Sequence, residues 1–261
     1  MYSLKKTIIL LYLIIRLLKM KKNLNLKIIY EDESLVVVNK DAGIVTHSST
    51  KKFEYSLIHL LRENNIKLSE GEEPNRPGVV HRLDKETSGL ILFAKTNKAH
   101  ESLKNQFYLR KIHKYYHAIV WGVPMPLAGK LNFPISSHLG KKKISYIERA
   151  KDAITLYETK KNTGKEFSLI ECKMLTGRTH QIRVHMLAKG CPLVGDKVYS
   201  KGRNFPKNLN EGLKKKIISF NRHALHATAI TFYHPVDNRL MHFNAKKPDE
   251  FLKLEQVLFE K

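Results

Sequence analysis

Cysteine is scarce in this chain of 261 residues, and its two cysteines, Cys172 and Cys191, lie far apart in the sequence. Neither belongs to a Cys-x-x-Cys pair, and no group of Cys and His residues has the spacing of a zinc site. The pattern favours a reducing compartment over the setting of a disulfide-rich secreted protein. We therefore predict no metal site from this sequence.

Glycine-rich phosphate loops are also missing. The chain contains neither a Walker A loop nor a Gly-x-Gly-x-x-Gly turn, so the sequence gives no sign of a nucleotide cofactor. His113 and His117 are four residues apart, the spacing of two ligands on one helix turn. They fall, however, in an aromatic and β-branched segment typical of a strand, and we interpret them as structural residues.

Acidic residues are few relative to basic ones, with 24 Asp and Glu against 47 Lys and Arg, a formal net charge of +23. Such a field attracts polyanions, so nucleic acid is the first candidate partner and an anionic membrane surface the second. Part of the excess is Lys accompanied by many Ile and Asn residues, a bias that an AT-rich genome would also produce. The charge by itself therefore indicates a partner class without establishing it.

Long apolar runs are absent except near the N-terminus. Residues 7–18 are strongly apolar, but they are fewer than the roughly 20 residues of a spanning helix, and Arg16 interrupts them. No small-residue cleavage site follows. We predict that residues 1–23 are an extension, with Met20 as an alternative start and residues 1–19 dispensable, and that residues 24–261 form one folded domain. A peripheral membrane anchor is the alternative.

One polar stretch, residues 78–96, stands out among apolar segments. It contains a short apolar run, Val79 and Val80, and a second apolar run from Leu90 to Ala94. Four of the polar or charged side chains between these two runs are His81, Arg82, Asp84 and Lys85. A charged loop held between buried strands is a common way to position catalytic groups. The alternative is that Asp84 caps a turn and Arg82 is its surface partner.

A second dense stretch begins at Thr176. We predict that Thr179 caps a helix that Gly190 ends. Arg178 would lie before this helix, and His180 and Arg183 would lie in its first turns. Backbone donors and arginines at a helix start form a good anion site. In so basic a protein, an ordinary basic helix face is the alternative.

The remaining pattern mixes strands and helices without regular βαβ alternation. This favours an α+β fold built on one largely antiparallel sheet with flanking helices. The predicted strands are residues 27–30, 35–38, 114–122, 153–159, 166–175, 222–232 and 241–244. The predicted helices are residues 55–62, 97–109, 179–189 and 249–259, with Asn97 as the N-cap of the second. Lys141, Lys142 and Lys143 are predicted to lie in a basic loop or edge, and residues 201–216 in a basic exposed insertion.

Three segments, taken together and in order, resemble the motifs of the RluA-type pseudouridine synthases. Residues 78–90 resemble the family's catalytic motif, residues 114–122 its Lys-x-Tyr-x-Ala-x-Val-x-Gly strand, and residues 176–199 its third motif. The resemblance implies the mixed, largely antiparallel sheet of that family. Asp41 stands where the family usually has proline, and the residues before Leu26 are too few for the S4 RNA-binding domain of many relatives.

The resemblance implies an isomerase that converts specific uridines of structured RNA to pseudouridine without cofactor or metal. It favours rRNA as the substrate, with tRNA as a second candidate, and a cytoplasmic monomer. A catalytically silent RNA-binding or ribosome-assembly protein on the same fold is the alternative.

The resemblance also implies roles for individual residues. Asp84 would be the essential carboxylate, Arg183 would pair with it and keep it ionised, and Tyr116 would pack on the uracil and could help to deprotonate C5. Arg178 is a weaker candidate for the pairing with Asp84. We expect seven residues to contact RNA: His81, Arg82, Arg178, His180, Lys141, Lys142 and Lys143. For the three lysines, a solvated surface is an equal alternative.

Overall fold

The computed structural model describes residues 25–48, 55–71, 73–138, 141–206 and 209–260. The extension that we predict over residues 1–23, with its alternative start at Met20, lies outside the described residues. Among the helices that are described, none is long and apolar enough to cross a membrane.

Eleven strands and five helices make up the described fold. The strands are β1 (Ile28–Glu31), β2 (Leu35–Lys40), β3 (Ser88–Ala94), β4 (His113–Trp121), β5 (Ala128–Asn132), β6 (Ile135–His138), β7 (Lys141–Ile144), β8 (Ile154–Asn162), β9 (Phe167–Met174), β10 (Leu225–Tyr233) and β11 (Leu240–Asn244). The helices are α1 (Leu57–Glu63), α2 (Asn97–Tyr108), α3 (Gln181–Ala188), α4 (Glu211–Phe220) and α5 (Asp249–Phe259).

Nine strands form one sheet in the order β1-β2-β3-β10-β4-β9-β8-β5, with β11 added on β10. Neighbouring strands run antiparallel except β3 and β10, which are parallel. Strands β6 and β7 form a separate two-stranded sheet. The predicted class, a mixed and largely antiparallel α+β sheet with flanking helices, is confirmed.

Both faces of the sheet are buried, as the alternation along β2 and β3 shows. Val36, Val38, Ile91 and Phe93 belong to a core that also contains the apolar sides of α1 and α3. Their neighbours Leu35, Val37, Leu90 and Leu92 point to the opposite face, where α2 packs. Further along that second face, α4 and α5 cover β4 and β9. Strands β2 and β3 therefore appear in the sequence as nearly continuous apolar runs.

Glycine is required where β3 meets β10. Gly89 pairs with Ala227 and has φ +113, and a Cβ built at Gly89 would lie 2.2 Å from the Ala227 carbonyl oxygen. Ala227 in turn pairs with Tyr116 of β4 on its other side. This close approach places the loop that enters β3 one strand away from β4, which carries Tyr116.

Three local predictions are wrong. The N-cap of helix α3 lies one residue later than predicted: it is His180, in a left-handed conformation with φ 59, and not Thr179. Residues 201–216 are not wholly an exposed insertion, since Leu209 is buried in the second core and Phe205 and Leu213 pack against that core. The N-cap of α2 is Thr96, whose hydroxyl accepts the Ala99 N–H, and not Asn97.

Candidate active site

The loop that carries Asp84 is held at both ends. Val79 makes a single antiparallel bridge to Phe93, in place of the full strand that we predict before the loop. After Asp84, the Thr87 N–H donates to the Asp84 carbonyl at 3.0 Å, which closes a turn, and the chain enters β3. All seven residues of β3 are buried. The carboxylate is thus positioned by a short loop whose backbone is tied to the centre of the sheet.

The segment after β2 supports the loop from behind. Lys40, which is 1% exposed, donates from Nζ to the carbonyls of Asp41, Ile44 and Lys85 at 2.9, 2.9 and 3.2 Å. Gly43 N–H also donates to the Lys85 carbonyl, at 2.8 Å. Burial lowers the pKa of Lys40 to about 7. Asp41, at the position where the resemblance leads us to expect proline, instead forms an ion pair with Lys27 at the surface.

Arg183 joins Asp84 to a second carboxylate. Its Nη1 donates to Asp84 Oδ2 at 3.0 Å, while Nε and Nη2 donate to the two oxygens of Asp196 at 2.7 and 3.0 Å. The guanidinium is therefore clamped in the two-pronged geometry that Arg forms with a carboxylate. Burial disfavours its charge, but the hydrogen bonds and charges of Asp196 and then Asp84 outweigh burial and raise the pKa of Arg183.

Sequence reasoning missed Asp196 as a site residue. It is 2% exposed, and its Oδ1 also accepts the backbone N–H groups of Val198 and Tyr199 at 2.9 and 3.0 Å. Burial alone would raise the pKa of Asp196, but Arg183 and these two N–H donors lower it. The local pattern places Asp196 only within the 176–199 motif, and its pairing with Arg183 is nonlocal.

Tyr199 and His180 complete the support of Arg183. The Arg183 guanidinium lies over the Tyr199 ring at 4.9 Å, and the Tyr199 hydroxyl is 2.9 Å from His180 Nδ1. His180 Nε2 is 3.8 Å from Asp84 Oδ2. Burial lowers the pKa of His180, and the charge of Asp84 offsets part of that effect. At neutral pH this ring is therefore a neutral neighbour of the carboxylate.

Tyr116 lies on β4 on the other side of Asp84. It is 4% exposed, and burial together with the Asp84 charge raises its pKa. Tyr116 and Asp84 line a small cavity of about 50 Å³ whose other walls include Met174, Arg183 and Leu225. The three residues that we predict as catalytic, Asp84, Tyr116 and Arg183, thus meet at one cavity although they come from three distant segments.

A wide basic groove opens from Asp84. This cavity of about 830 Å³ is lined by both charged and neutral side chains, among them Arg76, Arg82, Lys197 and Arg222. His223 forms part of its floor and lies with Nε2 2.7 Å from Thr87 Oγ1. Burial lowers the pKa of His223 to about 3, so the ring stays neutral. The groove has the size and the sign of charge that suit a polyanion.

The other residues that we predict to contact RNA lie in three different surroundings. Arg82 lines the basic groove, and Arg178 is exposed, with its Nε donating to the Asp152 carbonyl at 2.9 Å. His81 packs beside Phe107, and its Nε2 accepts the Leu92 N–H at 2.9 Å, so it also has a structural contact.

The three lysines lie on β7, an edge of the small two-stranded sheet. This agrees with the predicted basic edge. The backbone N–H of Lys142 donates to the Tyr199 hydroxyl at 3.2 Å, which connects β7 to the supports of Arg183. Contact of these lysines with RNA stays a prediction.

No group of three or more His, Cys, Asp or Glu residues that could hold a metal ion is found in the part of the chain that the structure describes. His117, which we interpret as structural, lies with Nε2 3.6 Å from Glu171 Oε2. Cys172 is buried opposite Tyr116, and burial raises the pKa of its thiol, which makes it unreactive.

Comparison with known proteins adds independent evidence. A family model described as RNA pseudouridylate synthase matches residues 34–188. The ribosomal large subunit pseudouridine synthase D of Zymomonas mobilis is 39% identical over 241 residues, which cover 91% of this chain and 74% of that protein. An uncharacterized RNA pseudouridine synthase of Aquifex aeolicus is 37% identical over 92% of this chain and 75% of its own length.

A solved structure is similar as well. Human RNA pseudouridylate synthase domain containing 4 superimposes with a TM-score of 0.68 at 28% identity, covering 89% of this chain and 92% of that one. The similarity in fold therefore extends over most of the chain.

Proposed function

Because the chain belongs to the RNA pseudouridylate synthase family, whose members isomerise uridine in RNA to pseudouridine, we propose that it acts on a uridine of large-subunit ribosomal RNA and that Asp84 is its catalytic carboxylate. In this isomerisation the N1–C1′ bond breaks, the uracil turns and C5 bonds to C1′, while the proton on C5 is transferred to N1. Substrate and product have the same atoms.

The observation that carries the assignment of the site is the contact of Arg183 with Asp84 at 3.0 Å, in a cavity shared with Tyr116. Arg183 engages one carboxylate oxygen, Oδ2. The other oxygen, Oδ1, accepts no hydrogen bond from any residue that the structure describes. One oxygen is thus held by a fixed cation, and the second is available to the nucleoside. An isolated buried carboxylate would tend to protonate, which would disable it.

Tyr116 supplies the aromatic surface on which the uracil would pack. Burial and Asp84 both raise its pKa, so the phenol remains protonated at neutral pH. In this state it is a hydrogen-bond donor and a stacking surface, and it could accept a proton only after its hydroxyl had given up its own. We propose that Tyr116 first holds the uracil while it turns, and that its hydroxyl is the group nearest C5 when the proton leaves.

The basic groove is the proposed path of the RNA. A uridine inside a helix cannot reach Asp84, so it must leave its stack, at a cost of a few kcal/mol. Arg82 stands two residues before Asp84 and lines the same groove, where it can occupy the vacated space or bind a phosphate. His180 and Arg178 flank the start of α3 and would meet the backbone on the other side.

The choice of ribosomal RNA is supported by relatives that carry the name ribosomal large subunit pseudouridine synthase D. As parts of the same proposal, the enzyme acts as a monomer in the cytoplasm, and residues 24–261 suffice for catalysis. Mapping pseudouridines in ribosomal and transfer RNA from cells with and without the gene tests the target. We expect the loss of signal at defined uridines of the large-subunit RNA, and loss confined to tRNA would overturn the rRNA assignment.

The test of Asp84 is the Asp84→Asn variant. The amide keeps the shape of the side chain but removes its charge, so the variant should fold and bind RNA while its activity falls by on the order of ten-thousandfold or more. The measurement is pseudouridine formation by the purified proteins under single-turnover conditions. Wild-type protein that binds RNA without turnover would instead favour the silent RNA-binding alternative.

A further inference from the structure

A second cavity shares Asp84 and Tyr116 with the site of the isomerisation and extends beyond them. Its volume is about 340 Å³, which is within the range of sites that bind small molecules. It lies between β4, the end of α2 and the turn before α3, and it includes Phe107, Tyr108, Lys114 and Gly177. Asp84 and Tyr116 line its inner end, so the cavity is continuous with the catalytic residues.

Lys114 carries an unpaired charge into this cavity. The residue is 8% exposed and follows the same side of β4 as Tyr116. Its Nζ lies over the Phe107 ring at 5.3 Å, and it has no hydrogen bond or ion pair with any residue in the described ranges. Burial lowers the pKa of Lys114 to about 8. A lysine buried to this degree is ordinarily paired, so its missing partner indicates a ligand.

The walls around Lys114 are arranged to receive negative charge. His81 Nε2 accepts the Leu92 N–H, so the neutral ring carries its proton on Nδ1, and that buried donor has no acceptor in the described part of the chain. Arg110 and Arg178 line the same cavity, and among the described lining residues Asp84 is the one acid. A Cβ at Gly177 would lie 3.4 Å from Lys114 Nζ, so glycine leaves the space beside the ammonium open.

An aromatic ring stands at the rim. Tyr108, the last residue of α2, is 84% exposed although it lines the cavity. Exposed aromatic rings next to cationic grooves are the surfaces on which unpaired bases stack. The buried ammonium of Lys114 and the exposed ring of Tyr108 line the same cavity. They match the two ends of a nucleotide, its phosphate and its nucleobase.

We propose that this cavity binds a second nucleotide of the substrate RNA, adjacent to the target uridine, with its phosphate at Lys114 and its base against Tyr108. The inference rests on the proposed function, because the nucleotide must reach the cavity along the strand whose uridine enters the Asp84 site. The enzyme would then extrude two neighbouring nucleotides, and the second would hold the first in register.

The test combines a protein change with a change in the RNA. Lys114→Met keeps the length of the side chain and removes its charge, and a neutral methylphosphonate linkage on either side of the target uridine removes the charge of one phosphate. The RNA is a short fragment carrying the uridine identified by the mapping experiment. Each change alone should lower kcat/KM by about tenfold, as expected for the loss of a charge-assisted contact. The variant protein acting on the modified RNA should lose no more kcat/KM than either change causes alone, because both changes remove the same contact.

The salt dependence of binding supplies a second readout. The Kd values of the Lys114→Met protein should depend less steeply on salt, with the slope of log Kd against log salt smaller by about 0.7, the value for one phosphate of a single strand. Tyr108→Leu should weaken binding without changing that slope, because it removes a stacking surface and no charge. A purely structural role of Lys114 would not alter the slope.

Lys173→Met is the matched control. Lys173 lies on β9 next to Tyr115, whose side chain projects to the face of the sheet opposite Tyr116. The variant loses the same charge and should keep the wild-type response to the neutral linkage. Additive losses in the Lys114 cycle, or an equal effect of Lys173→Met, would overturn the proposed nucleotide site. Wild-type protein without activity on any RNA would overturn the proposed function, and this inference with it.

Discussion

At the scale of single residues, the site depends on one guanidinium between two carboxylates. Asp196 is buried and engages Arg183 through two hydrogen bonds, whereas Asp84 is partly exposed and engages it through one. Asp196 therefore fixes the orientation of Arg183, and Arg183 in turn positions Asp84. A buried arginine that loses its carboxylate is strongly unfavourable, which makes the pair with Asp196 the anchor of the arrangement.

Replacing either arginine of residues 176–185 should lower the activity, but by very different amounts. Arg183→Met should lower the single-turnover rate by about a thousandfold, because it removes the cation that contacts the reactive carboxylate. Arg178→Met should cost about tenfold or less, since Arg178 is exposed and bonds to a carbonyl. The measurement is the rate at saturating RNA for both variants. An Arg178 variant that is the less active of the two, with both proteins folded, would refute the pairing.

Part of this arrangement is predictable from sequence. Asp84, Tyr116 and Arg183 are predicted from three motifs because the resemblance carries their roles. Asp196 and Tyr199 are missed, although they stand within the 176–199 motif, since nothing in the local pattern shows that an acidic residue 13 positions after Arg183 will return to face it. One signal for Asp196 was available in the sequence. It is an acidic residue that directly follows Gly195 in a strongly basic protein, a setting in which a nearby arginine is a plausible partner.

At the scale of elements, strands and helices with a clear period are predictable, and boundaries set by contacts are not. The predicted helix over 249–259 is α5, with identical bounds, because its amphipathic period and acidic first turn are local signals. The start of α3 is missed by one residue because His180 adopts φ 59, where its ring reaches both Tyr199 and Asp84. A conformation imposed by those contacts leaves no trace in local propensity.

The strand β7 provides the prediction at this scale. Replacing Lys141, Lys142 and Lys143 with Glu should weaken RNA binding and flatten its salt dependence, with a slope smaller by up to about 0.9 for each phosphate that the variant no longer neutralises. The rate at saturating RNA should change little, because the link from this strand to the site runs through the backbone N–H of Lys142. Binding isotherms at several salt concentrations and single-turnover rates measure the two effects separately.

The chain contains a matched control for that experiment. Lys214, Lys215 and Lys216 are also three consecutive lysines, but they lie on α4, away from the cavities that Asp84 lines. Their replacement with Glu changes the net charge equally and should have the smaller effect on affinity. Equal effects of the two triple variants would mean that only the overall charge matters, and a collapse of the saturated rate would mean that β7 helps to form the active site.

At the scale of the whole molecule, a strongly basic chain holds several histidines in neutral form. Burial lowers the pKa values of His47 and His226 to about 4, and those of His81 and His223 to about 3. In the unfolded chain these rings return to the ordinary value near 6.5. The formal net charge of +23 also disfavours protonation of these histidines in the folded state, because the positive charges repel an added proton.

The sign of the resulting pH dependence follows from proton binding. Between pH 6.5 and the lowered values, the unfolded state binds more protons than the folded state, so acid favours unfolding. The free energy of unfolding should therefore fall steadily as the pH decreases from 6.5 toward 4. Sequence alone does not predict this, because burial of a histidine depends on which elements pack over it.

His226 offers the sharpest test of this acid sensitivity. Its ring is fully buried between Ser88 Oγ, at 2.9 Å from Nδ1, and the Ala245 carbonyl, at 3.4 Å from Nε2. His226→Gln removes the titrating group but keeps a donor and an acceptor, so it should destabilise the protein at pH 7.5 yet lose about 2 kcal/mol less than wild type between pH 7.5 and pH 4.5. Urea unfolding at both pH values gives the two differences, and His242→Gln, an exposed position on β11, should leave the wild-type difference unchanged. A His226→Gln protein that loses as much stability on acidification as the wild type would contradict a lowered pKa of His226 as a source of the acid sensitivity.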